Sequence, residues 1–237
     1  KKKNIVSNLP DGADCLAAVE LCNHFSKILI ILRDDIRLSR FSQSLSIINN
    51  NIDIIEFPAW DCLPFDKNSP NQKLIGKRVR ALSSLANPNS KKTIILSTIG
   101  SVIQKIPNQD FIKNSSKSIQ SGQNISQREL INFFENNGYM RTNTVREDSE
   151  YSLRGSILDV YPPGEKHPVR IDFFGDVIDS LRLFDPISQL SLHNINFISF
   201  NAGNEIILTD HSVELFRRNH RELFNEEYDK SLYSNIS

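Results

Sequence analysis

The chain is short of almost everything that catalysis or export would call for. It has only three cysteines, Cys15, Cys22 and Cys62. Their number is odd and their spacing fits no metal set, which excludes a disulfide framework and points to a reducing cytosol. Cys15 and Cys22 are seven residues apart, so on a helix they share one face and read as small core residues. No apolar run approaches the roughly 18 residues of a membrane span, and no charged-then-apolar leader opens the chain. A soluble, cytoplasmic protein with no membrane partner is expected. Charge of one sign is also missing: Lys plus Arg and Asp plus Glu are 28 each, giving a net charge of zero. That balance argues against a surface dedicated to coating nucleic acid, and Lys1–Lys3 reads as a solvated terminus.

The usual catalytic signatures are absent too. A phosphate loop needs Gly-x-x-x-x-Gly-Lys-Ser/Thr, because its amides cradle phosphates, its Lys holds their charge and its hydroxyl ligates magnesium. The one Gly-Lys pair is Gly76-Lys77, followed by Arg78, with Asn71 where the leading Gly should stand. The segment before the first predicted helix, Asn8–Leu16, has one Gly, no Lys and two carboxylates that would repel phosphate. The histidines His24, His167, His193, His211 and His220 form no metal-binding spacing. No Ser or Cys stands in a nucleophile-elbow context. Asp172, Asp176 and Asp179 could ligate a cation in principle, but read as a polar turn and a solvated sheet face. No catalytic residue, metal site or cofactor is therefore expected in these residues.

What is present divides the chain in two. With 237 residues it can form one large domain or two modest ones, each with its own core. The first part alternates strand and helix. The pattern predicts helices over Gly12–Phe25 (apolar at Leu16, Val19, Cys22 and Phe25), Ile36–Ile48, Gln72–Leu85 and Thr98–Lys105. Between them lie strands at Lys27–Leu32, Ile52–Phe57 and Thr93–Ser97. The near-continuous apolar runs fit strands buried on both faces of a parallel α/β sheet. Lys113–Asn124 is polar, a linker or weak edge strand. Ser126 followed by Glu129 predicts a capping box opening a helix to Asn136, which Gly138 ends. Strands are then expected at Tyr139–Arg146, Tyr151–Tyr161, Val169–Phe174 and Val177–Leu183, with a tight reversal at Gly175-Asp176. The close, Leu192–Phe200, Glu205–Leu208 and Val213–Phe224, reads as strand, strand, helix. It ends mid-architecture, as a fragment of a longer protein would.

Two segments stand out. Phe57–Pro70 carries three prolines and three aromatics, with Arg78 and Arg80 on the helix that follows. It is either a rigid loop held down by Trp60 and Phe65 or a Pro-stiffened recognition surface. Arg154–Pro186 threads arginines and a Phe-Phe pair through alternating strands, a combination suited to touching another protein.

Taken together, Phe57–Asp66, Ser69-Pro70, Arg78 and Leu82, then Arg154-Gly155 and Arg170–Asp185, resemble the N-terminal region of bacterial transcription-repair coupling factors (Mfd). That region in turn resembles the repair protein UvrB. The resemblance covers essentially the whole chain. It implies a degenerate helicase-like (P-loop-type, RecA-like) lobe over 1–112, an inserted α+β partner-binding module over 113–196, and over 197–237 the start of a lobe that packs back on the first. It further implies that the inserted module binds UvrA through the positions Arg154, Arg170 and Phe174, with Arg182 and Phe173 as further members. Alternation puts Arg170, Asp172 and Phe174 on one face and Phe173 on the core side. The alternative for Arg154 is an internal ion pair with Asp172 or Asp176. The implied role is non-catalytic recruitment of UvrA to a stalled polymerase. The ATP-driven translocase and the contacts with RNA polymerase and double-stranded DNA belong to downstream modules, which also make intramolecular contact with this region. Rival readings are a UvrB-like ATP-dependent helicase or excision-nuclease subunit, and a purely structural, autoinhibitory lobe.

Overall fold

Strands β1 (Lys27–Leu32), β2 (Asp53–Phe57) and β3 (Thr93–Thr98) form a parallel sheet in the order β1-β3-β2. These coordinates come from a computed structural model describing residues 5–10, 12–49, 51–62, 70–86, 92–207 and 210–224. All six residues of β3 are buried, as the central strand of a parallel sheet requires. Helices α1 (Ala13–Leu21) and α2 (Asp35–Ile48) cover one face, with Cys15, Ala18, Leu38, Phe41 and Leu45 around Ile94 and Leu96. Asp34 caps α2 by accepting from the Arg37 amide at 2.8 Å. Helix α3 (Gln72–Ala86), with α5 (Gln109–Asn114) beyond the short α4 (Ile99–Val102), covers Ile55, Phe57 and Ile95 on the other. The chain is thus mixed α/β from its first third. Burial raises the thiol pKa of both Cys15 and Cys22.

Two expectations need correcting here. β1 is an edge strand, and Leu29 and Ile31 are exposed, because α3 and α5 cover only the β2–β3 half of that face. In α1 the buried stripe runs through Cys15, Ala18 and Cys22, leaving Leu16 and Phe25 in solvent. Cys22 and Val19 of the predicted period do face the core, and only Leu16 and Phe25 (the latter beyond the helix end) do not.

The second sheet is built from β5 (Met140–Arg141), β6 (Glu150–Arg154), β7 (Ile157–Val160), β8 (Val169–Phe174), β9 (Val177–Phe184) and β10 (Ser191–Ile195). Its order is β10-β9-β8-β7-β6-β5, antiparallel except for β5 against β6. A separate pair, β4 (Lys117–Gln120) with β11 (Phe197–Phe200), lies antiparallel. Helix α6 (Gln127–Asn136) presents Leu130 and Phe134 to Ile119, Tyr151, Leu158, Ile171 and Phe200 in one continuous core. Ser126 Oγ accepts from the Glu129 amide at 3.2 Å, the forward half of the predicted capping box. The Glu129 carboxylate turns to Lys117 Nζ at 2.6 Å.

The predicted strand Tyr151–Tyr161 is in fact a hairpin. Gly155, at φ 61°, reverses the chain between β6 and β7, a left-handed conformation that glycine adopts without strain. Tyr139–Arg146 contributes only β5, and Leu192–Phe200 divides between two sheets. Lys113–Asn124 holds the end of α5 and β4. Glu205–Ile207 is not a strand, and Leu208 lies outside the described residues.

Residues 1–205 form one compact unit and 206–237 another. The described part of the second contains α7 (Asp210–Phe224). Within the first, α3 joins the parallel sheet to the antiparallel one. Arg78 is fully buried and donates to Glu205 through Nε (2.6 Å) and Nη2 (2.9 Å). Its Nη1 reaches the Pro58 carbonyl (2.7 Å) and Gln104 Oε1 (3.0 Å), and its guanidinium lies 4.3 Å from the Phe57 ring centroid. Trp60 Nε1 donates to the same Glu205 at 3.1 Å. Trp60 and Arg78 therefore tie the start of the Pro-rich loop inward. Phe65 lies outside the described residues.

Two residues earlier on α3, Gly76 meets Gly164 of the Pro162-Pro163-Gly164 loop backbone to backbone. A Cβ at Gly76 would sit 2.6 Å from the Gly164 nitrogen. Asp148 Oδ2 accepts from that nitrogen at 2.9 Å, and burial raises the Asp148 pKa.

Candidate partner-binding face

Period-two alternation sends Leu158, Val160, Val169, Ile171, Phe173 and Leu181 into the core. The residues between them stand on the opposite side of the sheet. Register then aligns side chains drawn from distant parts of the chain. Asp159 lies opposite Arg170 and Arg170 opposite Arg182, while Ile157, Asp172 and Ser180 make the next row. The result is a ladder of guanidiniums and carboxylates across β7, β8 and β9.

Asp159 organises one half of it. Its carboxylate, only 1 % exposed, receives Arg170 through Nε (2.7 Å) and Nη2 (2.9 Å), a two-point fork. Arg154 Nη2 reaches the same group at 2.5 Å from the β6–β7 hairpin. The hydrogen bonds from Arg170 to Asp159 raise the Arg170 pKa further. Arg170 also lies 4.6 Å from the Phe184 ring centroid and donates from Nη1 to the Gln189 carbonyl at 3.3 Å. Asp172 organises the other half, accepting from Arg182 and from Ser180 Oγ (2.8 Å).

The three arginines are not equally reachable. The Arg154 side chain is 50 % exposed, Arg182 35 % and Arg170 14 %. Arg154 makes a single donation to Asp159, and a guanidinium has five N–H groups in a fixed fork. Its remaining donors can meet carboxylates on another molecule. Phe174 stands 82 % exposed at the tip of the β8–β9 hairpin, opposite Val177 and beside Gly175 at φ 61°. The face pairs cations with an unburied aromatic, the residue types that dominate protein–protein contacts.

Residues 118–205 match the UvrB interaction domain family. Over 94 % of its length the chain is 34 % identical to the transcription-repair-coupling factor of Haemophilus influenzae, covering 19 % of that protein. It is 29 % identical to that of Escherichia coli over 95 % of this chain and 20 % of the relative. With the Rickettsia bellii factor it shares 28 % identity over 89 % of this chain and 19 % of the relative. The chain corresponds to the N-terminal region of transcription-repair-coupling factors. It spans about a fifth of the length of these curated relatives.

All five residues singled out in the sequence lie inside the UvrB interaction domain. The structure brings Arg154, Arg170 and Arg182 onto one side of its sheet and puts Phe174 at the end of the same strands. Phe173 is elsewhere: it is buried in the core with Ile171 and Ile178, because the alternation that frees Phe174 turns it inward. The internal partner of Arg154 is Asp159, not Asp172 or Asp176.

Sequence reasoning passed over Asp159 and gave Asp172 no organising role. The available signal was a lone carboxylate in the apolar run Ile157–Val160, at the outward position of a strand. Asp172 is occupied by Arg182 and Ser180. No cluster of three or more metal-ligating side chains occurs among the described residues, nor any helix long and apolar enough to cross a membrane.

Proposed function

We propose that this chain is the non-catalytic recruitment region of a transcription-repair-coupling factor, and that the outward face of its UvrB interaction domain docks UvrA. The observation that carries the reading is the half-exposed Arg154 guanidinium, held by Asp159, together with the exposed Phe174 in the same domain. In this reading residues 1–112 are a degenerate helicase-like lobe, 113–196 the docking module and 197–237 the return to the first lobe. The lobe needs no cofactor. The intact protein is an ATP-dependent DNA translocase in the cytoplasm, meeting RNA polymerase and double-stranded DNA through downstream modules. Asp14, in the first turn of α1, pairs with Arg37, so a carboxylate stands where a nucleotide phosphate would need cations. That supports the recruitment role over a UvrB-like helicase.

A second observation favours intramolecular contact with downstream modules. Leu29 and Ile31 leave an apolar stretch of the parallel sheet exposed, and such a surface on a sheet edge calls for a cover.

Calorimetric titration of this chain with purified UvrA tests the reading. Arg154→Ala is expected to weaken binding by about 2 kcal/mol or more, roughly 30-fold, and Phe174→Ser and Arg170→Glu should weaken it as well. Affinity unchanged by Arg154→Ala and Phe174→Ser overturns the assignment.

A further inference from the structure

After β9 the chain returns to β10 through Asp185–Leu190, and this reversal is fixed more firmly than a connecting loop needs to be. Asp185 Oδ1 accepts from the Ile187 amide (3.1 Å), the Ser188 amide (2.7 Å) and Ser188 Oγ (2.9 Å). These bonds, the Ser188 amide foremost, hold the Asp185 carboxyl below its ordinary pKa. The Gln189 amide donates to the Asp185 carbonyl at 2.8 Å, and the Asp185 amide to the Leu190 carbonyl at 2.9 Å. The Gln189 side chain donates to the carbonyls of Val145 (3.0 Å) and Pro186 (2.8 Å). Gln189 itself holds φ 62°, a left-handed conformation uncommon outside glycine and sustained only where surrounding bonds enforce it.

A loop so constrained nonetheless displays two large aliphatic side chains. Ile187 is 89 % exposed and Leu190 68 %. Solvent gives no reason to put them there, and a rigid apolar projection binds at low entropic cost. The loop is also joined to the cationic ladder, because the Gln189 carbonyl takes a hydrogen bond from Arg170. Along β9 the order of features is therefore Phe174 and Val177 at the hairpin, the guanidinium ladder in the middle, and Ile187 with Leu190 at the far end. Eight residues of strand separate the two apolar ends by roughly 25 Å. That is the width of a partner footprint of about 800 Å².

We propose that the Asp185–Leu190 loop is a second apolar anchor of the docking face, and that Ile187 and Leu190 enter an apolar depression on the partner flanked by its carboxylates. The inference rests on the recruitment reading above and commits to the same partner. The Arg170–Gln189 bond makes loop and ladder continuous, and guanidiniums between two apolar anchors demand acidic groups between two apolar recesses. Anchors at both ends would fix the direction in which the partner lies along the strands. A single anchor at Phe174 would leave it free to pivot.

The test is a titration of this chain with purified UvrA, comparing wild type, Ile187→Ser/Leu190→Ser, Ile187→Ser alone and Arg154→Ala. Sedimentation and urea midpoints are measured for each. The double variant is expected to bind at least about 10-fold more weakly, mostly through faster dissociation, with the wild-type urea midpoint; Ile187→Ser should show part of the loss. Wild-type affinity in Ile187→Ser and the double variant, alongside weakened Arg154→Ala, overturns the second anchor and leaves recruitment standing. Failure of the wild-type chain to bind overturns recruitment itself. Self-association of the wild type, abolished in the double variant with UvrA affinity intact, assigns the loop to contact between copies and also overturns the proposal.

Discussion

The molecule contains two arginine–carboxylate systems made from the same chemistry to opposite ends. In the seam between the two sheets, Arg78 and Glu205 are sealed from solvent, and Trp60, Pro58 and Gln104 take up further hydrogen bonds. On the outer face of the antiparallel sheet, Asp159 is buried just as deeply, but the arginines it holds reach outward, Arg154 by half its side chain. A charge inside a protein is tolerable only when its partners are all present. The first system meets that condition with the chain's own groups and so fixes architecture. The second meets it for the carboxylate alone and leaves donors for another molecule.

The contrast can be broken most severely at Arg78. Arg78→Ala strands the Glu205 carboxylate without its cation and is expected to cost about 3–5 kcal/mol, read from urea denaturation of this chain. A loss below about 1 kcal/mol would mean that the seam is not held by this pair. At Arg154 the expectation reverses. Arg154→Ala should lower stability by no more than about 1 kcal/mol, since a half-exposed ion pair is screened by water, although under the proposed recruitment role the same change should strongly weaken partner binding. Equal stability losses for the two variants would erase the distinction.

The smallest effect is a pH dependence at the Gly76–Gly164 contact. Burial raises the Asp148 pKa. Below the unfolded carboxyl range near about 4, Asp148 holds its proton in both states and its contribution is complete. As pH climbs through the raised native value, stability is lost because the folded chain must carry a desolvated charge. Asp148→Asn should therefore raise the urea midpoint at pH 7 and leave it unchanged near pH 3. An equal shift at both values would assign the effect to packing.

Most of this architecture is legible in local patterns. Apolar runs flanked by amphipathic segments mark the parallel sheet, Ser126 marks the start of α6, and Gly175 marks a hairpin. The misses have physical causes. Gly155-Ser156 was one turn signal inside an unbroken alternating run, so β6 and β7 read as one strand. Leu29 and Ile31 have the composition of a doubly buried strand, and only the sheet order reveals that one face is uncovered. Glu205 reads as a strand residue until Arg78, 127 positions away, is placed beside it. The arginines and Phe174 of the outward face were singled out through resemblance, and alternation correctly turned Phe173 inward. What local pattern could not supply was register, which brings Asp159 under two arginines from separate strands.

That shared carboxylate leaves an imbalance. Three guanidiniums stand over two carboxylates, so on a chain with no net charge the ladder itself holds one positive charge that its own carboxylates do not cancel. An acidic partner would sense it from about one screening length, roughly 8 Å in physiological salt. Added electrolyte should therefore slow the encounter only modestly, while the lifetime of the complex is set by the contacts made after arrival.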